Sequence, residues 1–228
     1  MTIFEASSIN KEENQIISKK RVTDHGEVLT NSREVNAMLD LVKQETERID
    51  SRFLEPACGT GNFLTEILKR KLSIVKSRYC KSQLEFERYC VLAISSIYGI
   101  DILEDNVIEC RKRLYEIFLG EYIGLFKEYI QEQYSQTVRY ILEKNIIWGD
   151  ALTLKTVNEK SKPITFSEWS LVTGSLIKRR DFTFHELLNH AAMRELPLFS
   201  DLGEDVFIPK PEKEYPPVHF LRISDVPE

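Results

Sequence analysis

The stretch "RFLEPACGTGNFLTEILKR", residues 52–70, decides how this chain is read. A short apolar run meets an acid, a proline and two glycines, and a helical pattern follows at once. Pro56 ends a strand, because it cannot donate to a ladder. Apolar residues at Phe63, Ile67 and Leu68 then fall on one helical face. A glycine-rich turn between a strand and its helix lets backbone approach a ligand near the first-turn amides. The spacing lacks the third glycine of G-x-G-x-x-G, since Leu64 stands there, which weakens a dinucleotide reading. Glu55 sits directly before the turn, and a carboxylate there suits a ligand amine better than a pyrophosphate.

Two further acids follow the same rule. "SSIYGIDI" (95–102) reads as a buried strand ending near Asp101, and "NIIWGDAL" (145–152) as a third strand ending near Asp150. Asp101 could accept from two ribose hydroxyls and Asp150 from an adenine amine. Each has a plainer reading: Asp101 as a helix N-cap, Asp150 as the cap of the next turn, and the two glycines as a tight turn with no ligand. Taken together, a site for ammonium, ribose and adenine at three strand ends describes S-adenosylmethionine.

These segments resemble a known family. "LEPACGTGNFL" is similar to the first motif of adenine-N6 DNA methyltransferases, the amino-methylating group that includes modification subunits of restriction systems. "YGIDILEDNV" resembles their second motif, "IIWGDAL" their third, and "DHGEVLTNSREVNAMLDL" the cofactor-contacting segment before the first. In that last segment Thr30 is followed by Asn31 where the family has proline. The resemblance covers residues 21–152. It implies an α/β, Rossmann-like S-adenosylmethionine methyltransferase fold with a mostly parallel sheet. It also implies S-adenosyl-L-methionine as cofactor, held by Thr30, Glu55, Ala57, Gly59, Gly61, Asn62, Asp101 and Asp150. Thr30 has a second reading as a helix-entry residue beside Ser32, the expected N-cap of a helix over 32–49.

The family's catalytic tetrapeptide, Asn/Asp-Pro-Pro-Tyr/Phe, should follow a fourth strand lying beside the first. It is absent after Asp150. The pair Pro216-Pro217 stands between Tyr215 and Val218, with no amide or acid before it and no aromatic after it. No catalytic residue can be assigned. "ITFSEWSLV" resembles the run-up to the catalytic strand, and the sheet is expected to be truncated or incomplete after its third or fourth strand. A bare sheet edge invites pairing, so either the proline-rich C-terminal segment or a partner should cover it.

The remaining sequence sets the frame. The 228 residues carry a net charge of -5, with 42% hydrophobic and 29% charged residues. That is ordinary for a globular chain and lacks the basic surplus of a protein that grips DNA alone. Cys58, Cys80, Cys90 and Cys110 form no CxxC pair, so no metal site is expected, and Cys58 reads as a small buried filler. Trp148 and Trp169 read as core. Lys178-Arg179-Arg180 reads as a solvated turn or a phosphate contact. Further helices are expected over 77–93, 104–123, 121–143 and 183–193. No stretch approaches the ~20 apolar residues of a membrane span, and scattered thiols fit a cytoplasmic chain. Three segments result: a polar arm (1–20), a cofactor-binding domain (21–195) and an extended proline-rich tail (196–228). The expected partners are DNA and a protein partner or homodimer covering the sheet edge.

Overall fold

The computed structural model describes residues 18–25, 27–127, 130–194 and 209–227. Most of the expected arm, and the start of the expected tail, lie outside them. The chain is α/β with mixed sheets. The first sheet has the order β1 (Phe53–Glu55), β2 (Ile97–Asp101), β3 (Ile146–Asp150), β4 (Lys155–Thr156). β1, β2 and β3 are parallel, with Phe53 opposite Ile97 and Gly99 opposite Ile146; β4 returns antiparallel on β3. Helices α4 (Asn62–Tyr79) and α5 (Gln83–Ser95) link β1 to β2, and α6 (Glu104–Phe126) and α7 (Glu132–Asn145) link β2 to β3. No helix among the described residues is long and apolar enough to cross a membrane.

β2 shows why the sheet sits where it does. All five of its residues are buried. The period of two sends Ile97 into the cluster built by α4, α5, α6 and α7, and Tyr98 and Ile100 into a second cluster on the other face. That second face is covered by the hairpin of β5 (Thr165–Leu171) and β6 (Leu176–Thr183), with Phe184 at the start of α8 (Phe184–Arg194). Phe166 meets Tyr98 edge-on at 5.4 Å, and the Tyr98 hydroxyl donates to the Ser167 carbonyl at 2.9 Å.

Several expectations are corrected here. The mostly parallel sheet is limited to β1–β3. "ITFSEWSLV" does not lie beside β1: β5 pairs antiparallel with β6 over seven registered residues, closed by a short turn at Gly174. The Lys178-Arg179-Arg180 run is neither a solvated turn nor an open basic patch. Lys178 pairs with Glu214 at 2.7 Å and Arg180 with Glu168. The Arg179 guanidinium is buried against Asp181 at 2.7 Å, and its Nη1 donates to the Tyr140 hydroxyl at 2.6 Å.

The described part of the tail is structured. β7 (Lys213–Glu214) and β8 (Val218–His219) pair with β6, and a 3-10 helix, Phe220–Asp225, buries Phe220 and Ile223 against α7. Pro216 and Pro217 join the two short strands, where an absent N–H costs nothing. The tail therefore extends the second sheet instead of covering β1. Among the described residues, β2 is the sole strand partner of β1.

Helix bounds also differ. The expected helix over 32–49 is split into α2 (Ser32–Asp40) and α3 (Lys43–Thr46). Its N-cap is Asn31, whose side chain accepts from the Glu34 amide at 2.9 Å, and not Ser32. Residues 121–126 belong to α6, so the helix expected over 121–143 begins at Glu132.

Candidate functional site

The carboxyl ends of β1, β2 and β3 place Glu55, Asp101 and Asp150 around one cavity of about 600 Å³. Seven of the eight residues singled out in the sequence line it: Thr30, Glu55, Ala57, Gly59, Asn62, Asp101 and Asp150. Gly61 does not. It stands behind the loop at φ 87°, as the left-handed N-cap of α4. A Cβ on it would come within 2.6 Å of the Cys110 sulfur, so glycine is required twice over, by dihedral and by space.

The loop between Glu55 and Asn62 is tied down by its own amides. Cys58 donates to the Ile100 carbonyl at 2.8 Å, which prolongs the β1–β2 ladder. Gly61 donates to the Cys58 carbonyl at 2.8 Å and closes the turn. Gly59 donates to Asp101 Oδ2, also at 2.8 Å. The glycine amides expected to meet a ligand are thus engaged within the protein. The first-turn amides of α4, which no helical carbonyl can reach, remain at the cavity end of the loop.

Each acid has a distinct environment. Glu55 lies half-buried; burial pushes its carboxyl up, and the Ala57 amide at 3.3 Å offsets part of that. Asp150 is held below the usual carboxylate range by the Leu152 amide and the Thr153 hydroxyl, each at 2.9 Å. Asp150 therefore does cap its own turn while facing the cavity. Asp101 accepts from the Gly59 and Leu103 amides and from Asn106 Nδ2, at 2.8, 2.9 and 3.1 Å. Thr30 contributes its carbonyl, which receives Asn62 Nδ2 at 2.8 Å. This bond joins the segment before α2 to the glycine loop.

Three contributors escaped the sequence reading. Asn106, Cys110 and Arg113 stand at i, i+4 and i+7 on α6, on the face turned to the loop. Asn106 reaches Asp101, and Cys110 packs under Gly61 and against the Cys58 thiol, both cysteines being free. Arg113 Nη1 donates to the Thr60 carbonyl at 2.7 Å and to Asn62 Oδ1 at 2.8 Å. The helical period was the signal that could have found them, had the partner of that face been known. Glu27 is a fourth omission of a different kind, an acid on the wall supplied by the segment before α2. Cys58 lines the cavity but is buried, and contact with Cys110 together with burial pushes its thiol up, as befits a filler. Trp169 is core, while Trp148 donates Nε1 to the Ile102 carbonyl at 3.0 Å and braces the cavity rim.

Chemically, this is a cavity with acids at three strand ends. Its mouth carries apolar side chains left in solvent, Leu152 at 95% exposure and Ile102 at 47%. It offers acceptors for a ligand with amines and hydroxyls and apolar surface for a flat ring. No family model, no curated protein and no solved structure matches this chain.

Proposed function

We propose that this chain binds S-adenosylmethionine in the cavity at the ends of β1–β3, as a Rossmann-like protein of the adenine-N6 DNA methyltransferase kind from a restriction-modification type system. The observation that carries the proposal is the convergence of Glu55, Asp101 and Asp150, far apart in sequence, on one cavity beside a glycine loop. Glu55 would take the ammonium, Asp101 the ribose and Asp150 the adenine amine, with Ile102 and Leu152 against the ring faces. The ligand carboxylate would meet the first-turn amides of α4. Bound there, S-adenosylmethionine would supply its methyl group to a target amine in a single displacement, with the thioether as leaving group and the amine losing a proton. The protein's part is to orient the two reactants.

A second reading has its own support. The chain carries no Asn/Asp-Pro-Pro-Tyr/Phe, and β5, the segment that should lead to it, is half of a hairpin with β6 and does not pair with β1. On that reading the chain is a non-catalytic cofactor-binding subunit that acts with a partner chain.

Calorimetry with S-adenosylmethionine tests the shared claim: one ligand per chain is expected, and no heat at millimolar ligand would refute it. A tritium-transfer assay on DNA separates the two readings. Label entering adenine with the purified chain alone supports the enzyme. Label only after a partner chain is added supports the subunit.

A further inference from the structure

The hydrogen-bond inventory around Asp101 is nearly full. A carboxylate offers about four acceptor positions. Asp101 has spent three: Oδ2 on the Gly59 amide, Oδ1 on the Leu103 amide and on Asn106 Nδ2. Among the described residues that leaves one position, on Oδ2. A ribose presents two adjacent hydroxyls, so Asp101 cannot accept from both without giving up a bond that shapes the loop.

Glu27 has the complementary vacancy. It lines the same cavity, and its side chain is 8% exposed. Its Oε1 accepts Asn106 Nδ2 at 2.7 Å and Arg21 Nη2 at 2.8 Å; its Oε2 accepts Arg21 Nε at 2.5 Å. Among the described residues three positions are again spent, which leaves one on Oε2. Asn106, 2% exposed, bridges the two acids with a single amide nitrogen, and its Oδ1 is held by Arg21 Nη2 at 2.9 Å. Two buried carboxylates side by side would repel each other. Arg21, which also pairs with Asp105, supplies the compensating charge.

We infer that Glu27 and Asp101 divide the ribose diol between them, one hydroxyl to each carboxylate, with Asn106 and Arg21 as the positioning residues that set their spacing. This rests on the adenosyl reading of the cavity. The bland alternative is that Glu27 only anchors Arg21 and thereby α1 (Lys19–His25), and never meets ligand.

The test is a grid of calorimetric titrations. The ligands are S-adenosylhomocysteine and its 2′-deoxy and 3′-deoxy analogues. The proteins are wild type, Glu27→Gln, Glu27→Asp and Asp101→Asn. A hydroxyl bonded to a carboxylate contributes roughly tenfold to a hundredfold in affinity. Wild type should lose about that much for either missing hydroxyl. In Glu27→Gln the penalty for one deoxy position should shrink to about twofold or less while the other stays. In Asp101→Asn the pattern should invert. Glu27→Asp keeps the charge that Arg21 needs but shortens the reach, and should show the same selective change. It decides the matter if the glutamine variant does not fold. Wild-type penalties at both positions in the Glu27 variants would overturn the inference and leave cofactor binding standing. No binding of S-adenosylhomocysteine by wild type would overturn both.

Discussion

Replacing Gly61 with alanine probes the loop at the point where sequence and space are most tightly coupled. The new Cβ would sit 2.6 Å from the Cys110 sulfur, in a residue held at φ 87°. Two costs add. A left-handed conformation costs a non-glycine residue about 1–2 kcal/mol. An extra methyl forced into a packed site costs about 1–3 kcal/mol. The sum, about 2–5 kcal/mol, is a large share of the stability of an ordinary domain. With a urea slope of about 3 kcal/mol per molar, the unfolding midpoint should fall by roughly 0.7–1.7 M.

The two costs can be separated, because only the second depends on the sulfur. In a Cys110→Ala background the sulfur is gone, and the same glycine substitution should cost only the dihedral share. A double-mutant cycle read by urea unfolding should therefore give a coupling of about 1–3 kcal/mol between positions 61 and 110. A coupling below about 0.5 kcal/mol would show that the loop yields freely, and the packing argument for Gly61 would fail. A cost near zero for Gly61→Ala alone would refute the left-handed cap as well.

Two further predictions concern titrating groups. Lys71 is fully buried, with its Nζ within hydrogen-bond distance of the carbonyls of Arg48, Ile49 and Ser51 and of Ser96 Oγ, and burial pushes its amine down to about 7 from 10.5. Between those values the unfolded chain holds a proton the folded chain does not. Stability should thus rise with pH from about 7 to 10, by at most roughly 1.4 kcal/mol per pH unit, and be flat in this contribution below 7. Urea midpoints of wild type minus those of Lys71→Met isolate the effect, and a difference that falls with pH would refute it. For Glu55, whose carboxyl is raised by burial, S-adenosylmethionine affinity should weaken as pH drops through its pKa, because a neutral acid no longer attracts an ammonium. Calorimetry at falling pH should show a loss in wild type that Glu55→Gln lacks, and parallel profiles would remove Glu55 from the ammonium site.

What the sequence disclosed follows from the range of the forces involved. β2 was legible because "IYGID" is apolar enough to be buried on both faces, and α4 because its apolar face follows a glycine turn. The helix over 32–49 was misread because periodicity does not say whether a partner exists. Val35 and Leu39 are buried, while Met38 and Val42, on the same pattern, are exposed. β6 was obscured for the opposite reason. Arg179 and Asp181 stand at buried positions of "LIKRRDFT", which local composition reads as solvent. They are tolerated there because each satisfies the other, with Ser167, Tyr140 and Tyr215 completing the set. The cavity acids were readable since each ends its own strand. Glu27 was not, because its partner Asn106 lies 79 residues away.

The free edge of β1 bears on the choice between enzyme and subunit. Phe53 donates to the Ser96 carbonyl at 3.0 Å, so in a parallel ladder the N–H and C=O of Leu54 face the opposite side. No strand among the described residues pairs there. Glu55, the next residue, lines the cavity. A strand added at that edge would therefore end beside the methyl donor of the proposed cofactor. Transfer demands that the attacking amine be held about 3–3.5 Å from that carbon. The groups that would hold it must reach that place. β5 does not pair at that edge: its ladder is with β6, and its Phe166 is packed on Tyr98. Cofactor binding by the isolated chain together with transfer only in the presence of a second chain is the outcome this geometry favours.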